Sequence, residues 1–447
     1  TAAPDMRPFA AELEARSRNW TQSAVFARAH PDAPALICRA DGRSFAQLHE
    51  SANRLAHHLR RCGLRAGDAV ALMCRNRPEF VEVMLAALRI GLRLTPVSTQ
   101  LTADEAAYIV ADCDARLLFV EAGLAGESID GIPTIVIGTP GYDTALADGS
   151  AAEIDDPSAG QLMLYTSGTT GRPKGVFSRK PDIVPPQFGG SFADYRPGDV
   201  QLCAGPAYHS APLLFDLRWP LASGVPIVLI EKWDSQAVLE AMARHRLTHA
   251  HMVPTMFQRL LALPEAERAR HDLSSLRFVV HGAAPCPVPV KHAMIDWWGP
   301  VLTERYAATE GGDNIHVNST DWLKKPGTVG RLDRGKGHRI LDDAGRDAAP
   351  GQIGRIYFRA PDDGRFEYFG DAAKAATAYA GDRFTLGDLG YVDEDGWLFL
   401  TGRGAETIIS GGVNIYPREI DDVLATHPAV EAVCTVGAPD DEWGERV

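Results

Sequence analysis

Tyr165-Thr166-Ser167-Gly168-Thr169-Thr170-Gly171-Arg172-Pro173-Lys174-Gly175 places four aliphatic hydroxyls, three glycines and a lysine within eleven residues. Glycines let backbone N–H groups turn toward an anion, hydroxyls add donors, and Lys174 adds a point charge. This chemistry suits a polyphosphate. The spacing is not that of a Walker A loop, which needs GxxxxGK followed by Ser or Thr; here Gly171 is followed by Arg172. A surface loop would also be rich in Gly, Ser and Thr, but a run this ordered, directly after the strand-like stretch Gln161–Tyr165, favours ligand binding over a plain connection.

Such a run needs rigid elements on both sides. From Phe45 to Cys62 the apolar residues recur at helical spacing and Gly63 stops them. Ala69–Met73 reads as a buried strand, and Pro78 opens a helix through Leu88. Strand Arg93–Val97, helix Thr102–Asp112 and strands Leu117–Val120 and Thr134–Ile137 are predicted next. After the Gly/Thr run come strand Pro226–Ile230, helix Ser235–His245 and strand Leu276–Val280, which leads into His281-Gly282-Ala283-Ala284-Pro285 and a helix to Trp298. Strands alternating with helices predict parallel sheets covered by helices. From Gly327 to Leu400 shorter strands (Gly354–Arg359, Trp397–Leu400) and Gly/Asp turns predict a small β-rich subdomain. Helix Pro417–Thr426 and strand Ala432–Val436 then read as the opening of a separate α/β unit. There is no internal repeat and no low-complexity run.

Bulk properties narrow the function. A chain of 447 residues exceeds one ordinary core. A formal net charge of −13 argues against nucleic-acid binding, which needs clustered Lys and Arg, although a local basic pocket can still take a nucleotide. Seven scattered cysteines without a CxxC argue against a disulfide framework or zinc site. Charges interrupt any apolar run near the N-terminus, and no stretch suits a membrane span. The expectation is a cytoplasmic protein.

The Gly/Thr run resembles, position by position, the phosphate loop of the adenylate-forming superfamily, and further matches follow in the expected order over roughly residues 25–447. Tyr306-Ala307-Ala308-Thr309-Glu310 is similar to the family's second signature. The resemblance implies that Tyr306 stacks on adenine, Thr309 touches the α-phosphate and Glu310 holds Mg²⁺; a carboxylate beside a triphosphate is repelled unless a divalent cation bridges them. Gly282-Ala283-Ala284-Pro285 resembles the segment that lines the acyl pocket and approaches adenine. Asp388, in Thr385-Leu386-Gly387-Asp388, matches the aspartate that accepts from both ribose hydroxyls, and Arg403 the arginine near the domain junction. His209 matches a position beside the acyl carboxylate and the route of the incoming thiol. Gly411 and Gly412 resemble the loop lining the pantetheine channel, and Trp443 a tryptophan that stacks on the CoA adenine.

By that resemblance the chain has an α/β fold. A large N-terminal domain (1–402) holds two helix-covered sheets and the β-rich subdomain (about 327–402). The hinge and an incomplete small α/β C-terminal domain occupy 403–447. The implied activity is that of an ATP-dependent acyl-CoA synthetase using ATP, Mg²⁺ and CoA, with a small carboxylic acid as partner, no nucleic acid, and a homodimer admitted. Phe215, Met252, Phe257, Ala283 and Ala307, with His209 and Gly282, predict an apolar pocket for a fatty, aryl or polycyclic acid. The methyl of Ala307 replaces a frequent family glycine. The chain also departs at Ala405, where the family's hinge usually has Asp or Lys, and it reaches Val447 before the family's downstream lysine. Four rivals stand beside the synthetase: a luciferase-like use of acyl-AMP, a peptide-synthetase adenylation domain with Asp216 holding an amine, an enzyme of the thioester half-reaction alone, and a non-catalytic acyl-adenylate binder.

Overall fold

The computed structural model describes residues 3–39, 41–166, 173–178, 180, 183–362, 365–410, 413–425, 427, 429–430, 433–440 and 443–447. Two compact units divide the chain. The first comprises 1–252, 263–279 and 366–371; the second comprises 253–262, 280–365 and 372–447.

The first unit contains the predicted parallel sheets. One runs Thr134–Ile137, Ala115–Glu121, Ala69–Met73, Arg93–Pro96, Gln161–Leu162, with every neighbouring pair parallel. The other aligns Pro34–Ile37, Ile227–Leu229, Gln201–Cys203 and His249–Met252 in parallel, with the short Arg43–Ser44 antiparallel at its edge. Strands such as Ala69–Met73 are buried at every residue, which is why they read as apolar runs without alternation. Helix Phe45–Arg61 starts at a capping box, in which Ser44 and Gln47 satisfy each other's free N–H groups. Thr102 and Glu105 do the same for helix Ala103–Asp112. Helix Pro78–Arg89 is buried on all sides, and it shares one apolar core with residues of both parallel sheets, among them Val70, Leu72, Leu36 and Ile227.

Two strand predictions need correction. Gln161–Tyr165 is not one strand. Gln161–Leu162 closes the parallel sheet, whereas Leu164–Thr166 pairs antiparallel with Lys174–Ser178, which in turn pairs with Phe366–Tyr368. Met163 is the crossover; its N–H still bonds to Leu94 O while its side chain fills the core beneath the new hairpin. Ala432–Val436 is not a strand over its described residues; the pairing falls later, at Ala438–Asp440 with Gly444–Arg446.

The second unit is rich in antiparallel strands. Gly330–Arg331, Trp397–Arg403, Asp388–Val392, Gly354–Arg359, Arg383–Phe384 and Tyr379–Ala380 lie side by side. Leu302–Ala308 and Gly311–Asn318 form a hairpin, and helices Pro254–Leu261 and Val288–Trp298 pack together. Near the C-terminus, Val413–Ile415, Ile408–Ser410, Gly444–Arg446 and Ala438–Asp440 form a small sheet beside helix Pro417–Leu424. Among the described residues, no helix is long and apolar enough to cross a membrane.

Candidate active site

In the first unit, the register sets Thr166 directly opposite Lys174, so both ends of the Gly/Thr run are anchored. Ser167, Gly168, Thr169, Thr170 and Gly171 lie outside the described residues. The hairpin is fastened to helix Ala103–Asp112 by two tyrosines. Tyr165 donates to Asp112 at 2.6 Å, and Tyr108 donates to the Pro173 carbonyl at 3.3 Å. Burial and the Asp112 carboxylate push the Tyr165 phenol up, so it stays a donor. The Lys174 ammonium donates to Asp371 at 2.8 Å and sits 5.9 Å from the Tyr368 ring. Asp371 lies 197 residues further along the chain, on the segment carried by strand Phe366–Tyr368, and no sequence signal marks it.

His209 precedes a short turn, Ser210–Pro212, and its ring lies 4.7 Å from that of Tyr208. The residue keeps a large exposed fraction, yet packing around the imidazole lowers its pKa and favours the neutral form. The next six residues, Leu213–Arg218, wind as a π-helix before α-helix Trp219–Ser223 resumes. Such widened turns recur at functional sites. Phe215 is buried there, stacked 5.4 Å from His251, and Met252 is fully buried on the adjoining strand. Asp216 is fully buried too. Its Oδ1 accepts from Gln201 Nε2 at 2.8 Å and from the His251 N–H at 3.0 Å, while Gln201 accepts from Tyr195 at 2.7 Å. Burial raises the Asp216 pKa well above the carboxylate range. A neutral, sequestered acid of this kind does not present a charge to a substrate amine.

In the second unit, hairpin strands bring Tyr306, Thr309 and Glu310 together. Ala308 faces Gly311, so Thr309 and Glu310 form the two-residue tip, half-buried, with a bulge between Tyr306 and Ala308 re-aiming the strand. Ala307 is half-buried beside them. Asp388 and Arg403 face each other in paired strands. Tyr306 donates to Asp388 Oδ2 at 2.6 Å and Arg403 Nε to Oδ1 at 3.2 Å. Thus three residues singled out separately from sequence form one cluster. Burial, then the Asp388 charge, hold the Tyr306 phenol protonated.

Strand Phe278–Gly282 ends where a β-carbon on Gly282 would meet Arg305 O at 2.4 Å, a contact only glycine permits. Ala283 follows with φ +64°, left-handed and unusual for a residue with a side chain, and Ala284 is exposed after it. Phe257 is fully buried against His281 and Trp298. Ala405 lies in the turn Gly404–Glu406. Gly411 and Gly412 lie outside the described residues, and Trp443 is 54% exposed. Among the described residues no group of three or more His, Cys, Asp or Glu side chains is placed to hold a metal ion. One carboxylate, Glu310, with oxygens of bound phosphates is a donor set that suits Mg²⁺, which keeps few protein ligands.

Comparison with known proteins gives the family. Residues 24–364 match the family model described as AMP-binding enzyme. The chain is 31% identical over 442 residues to fatty acid–acyl-carrier-protein ligase ScoC of Streptomyces coeruleorubidus, covering 94% of this chain and 84% of that one. It is 33% identical over 434 residues to 2-succinylbenzoate–CoA ligase of Geobacillus kaustophilus, covering 96% and 86%. Among solved structures it superposes on o-succinylbenzoate coenzyme A synthetase of Bacillus subtilis in complex with ATP and magnesium ion. The TM-score is 0.78 at 26% identity, over 95% of this chain and 88% of that one.

Proposed function

The chain belongs to the AMP-binding enzyme family, and from that premise we propose that it is an AMP-forming acid–thiol ligase that joins an apolar carboxylic acid to CoA. The Tyr306–Asp388–Arg403 cluster carries this reading. It supplies an aromatic face for adenine, a buried carboxylate with lone pairs left for ribose hydroxyls, and a guanidinium at the domain junction. In this reading the small domain starts at 403 with its hinge at Ala405, inside the second compact unit, which runs unbroken from 372 to 447.

The reaction has two halves. First, a carboxylate oxygen of the acid attacks the α-phosphorus of ATP; that P–O bond forms as the bond to pyrophosphate breaks. Lys174, with the hydroxyls and backbone of the Gly/Thr run, gathers charge on the departing phosphates, and Thr309 donates to the α-phosphate. Glu310 would hold Mg²⁺, which supplies Lewis-acid neutralisation of the polyphosphate when bound. Lys174 exchanges Asp371 for substrate phosphate as ATP binds. Second, the CoA sulfur gives its thiol proton to solvent and attacks the acyl carbon, and AMP leaves with the electron pair of the C–O bond. Gly411 and Gly412 give passage to the pantetheine arm, Trp443 stacks on the CoA adenine, and His209 lies by the acyl carboxylate.

The acid is apolar. In the first unit Phe215 and Met252 are buried apolar side chains and Asp216 is committed to Gln201 and His251; in the second, Phe257, Gly282, Ala283 and Ala307 offer hydrocarbon or bare backbone. Fatty, aryl and polycyclic acids therefore fit better than amino acids. The test is pyrophosphate release from ATP and Mg²⁺ over a panel of acids, with and without CoA. Release dependent on an apolar acid, followed by a thioester once CoA is added, is expected. Equal turnover of polar amino acids would refute the substrate class, and no release with any acid would refute the ligase reading.

A further inference from the structure

The turn Ala283–Pro287 joins strand Phe278–Gly282 to helix Val288–Trp298, and its backbone is strained at the start, with Ala283 at φ +64°. A left-handed alanine persists only where its surroundings over-determine it. Both ends of this turn are pinned to two consecutive residues of the strand that carries Tyr306. At the near end, Gly282 packs so closely on Arg305 O that a β-carbon would fall 2.4 Å from it. At the far end, Lys291, in the second turn of the helix, donates to Glu304 Oε2 at 2.6 Å. Lys291 is fully buried and Glu304 6% exposed, and the ammonium also lies 4.5 Å from the Trp322 ring centre. Arg418 acts on Glu304 from the C-terminal helix, and His281 Nε2 stands 3.9 Å from the same carboxylate oxygen.

A buried ion pair is a poor source of stability compared with apolar packing, but breaking one side of it is costly, so it fixes geometry rigidly. We propose that Lys291 and Glu304 are positioning residues that clamp the Ala283 turn in its left-handed conformation and so aim Gly282–Pro285 at the bound adenylate. The role in ligand binding rests on the ligase reading above; the clamp on Ala283 does not. Both act through the backbone that they join and touch no substrate. The strand and helix that they join are the two supports of the turn, and the alanine between them would otherwise relax to a right-handed or extended backbone.

The test is a cycle with AMP as probe. Lys291→Met with Glu304→Gln removes both charges together and leaves no lone buried ion. That pair change is made in the native background and again in Ala283→Gly, where glycine adopts the left-handed turn without strain. Kd for AMP is measured by calorimetry, and the backbone at position 283 is read from crystals of the pair variant. The expected result is an approximately tenfold weaker AMP affinity, about 1.4 kcal/mol, when alanine is at 283, with φ there no longer positive. In the glycine background the same pair change should cost less than about threefold. An unchanged φ at 283 in the pair variant, or an equal loss in both backgrounds, would overturn the clamp. So would a fold that is lost in the pair variant and not recovered by Ala283→Gly, because the pair would then serve the whole unit. A native protein that fails to bind AMP would count against the ligase reading alone, and the crystallographic φ would still decide the clamp.

Discussion

Replacing Asp388 by Asn gives a sharp test of nucleotide recognition. A carboxylate offers about four lone-pair positions over its two oxygens. Two are used in this structure, by Tyr306 on Oδ2 and by Arg403 on Oδ1. The two that remain equal the number of ribose hydroxyls. Asparagine keeps one oxygen and turns the other acceptor into a donor, so one hydroxyl loses its partner and the second faces a neutral acceptor. Hydrogen bonds to a charged group contribute about 1.5–3 kcal/mol and neutral ones about 1 kcal/mol. The summed loss is about 2–5 kcal/mol, or roughly 30- to several-thousand-fold in Kd for AMP. Calorimetry with AMP and with 2′,3′-dideoxy-AMP separates the causes. The native protein should prefer AMP, and Asp388→Asn should erase most of that preference while weakening the dideoxy nucleotide little. If both nucleotides weaken equally, Asp388 acts by orienting Tyr306 and Arg403, and the lone-pair argument fails.

Asp371→Asn should tighten ATP binding about three- to fivefold at low salt, because the carboxylate competes for Lys174 and repels phosphate. The pair is partly exposed, which limits its strength. AMP, with one phosphate, should respond less, and the gain should fade in high salt; unchanged ATP affinity would refute this competition. Asp216 makes a pH prediction. Burial raises its folded pKa well above the ordinary 3.8, so folding takes up a proton. Its contribution is complete below the unfolded pKa and is lost as pH rises toward the folded one, at about 1.4 kcal/mol per pH unit. Asp216→Asn should therefore gain Tm over the native protein from pH 5 to 8, by a margin that widens with pH, and a constant margin would mean that Asp216 is ionised when folded.

Much of this enzyme is legible without coordinates because its signals are local. A proline at a helix start, a capping pair such as Thr102 with Glu105, and apolar strands buried at every residue are written into short stretches. The Gly/Thr run is local as well: its hydroxyls, glycines and lysine fall within eleven residues, and Thr166 and Lys174 at its ends face each other in paired strands. Tyr306, Thr309 and Glu310 likewise belong to one hairpin and its tip.

Other features depend on contacts that no window of sequence contains. Asp371 reaches Lys174 because strand Phe366–Tyr368 pairs with Lys174–Ser178, and a surface aspartate followed by alanines carries no hint of it. The run Gln161–Tyr165 looks continuous, and only the competition of two sheets for its hydrogen bonds splits it at Met163. Asp216 could have faced a substrate amine; the π-helix turns it instead onto Gln201 and His251, where burial neutralises it. The left-handed Ala283 and the Lys291–Glu304 pair are of the same kind. Backbone strain and buried charge are set by what surrounds a residue in space, and the side chain's identity alone does not reveal either.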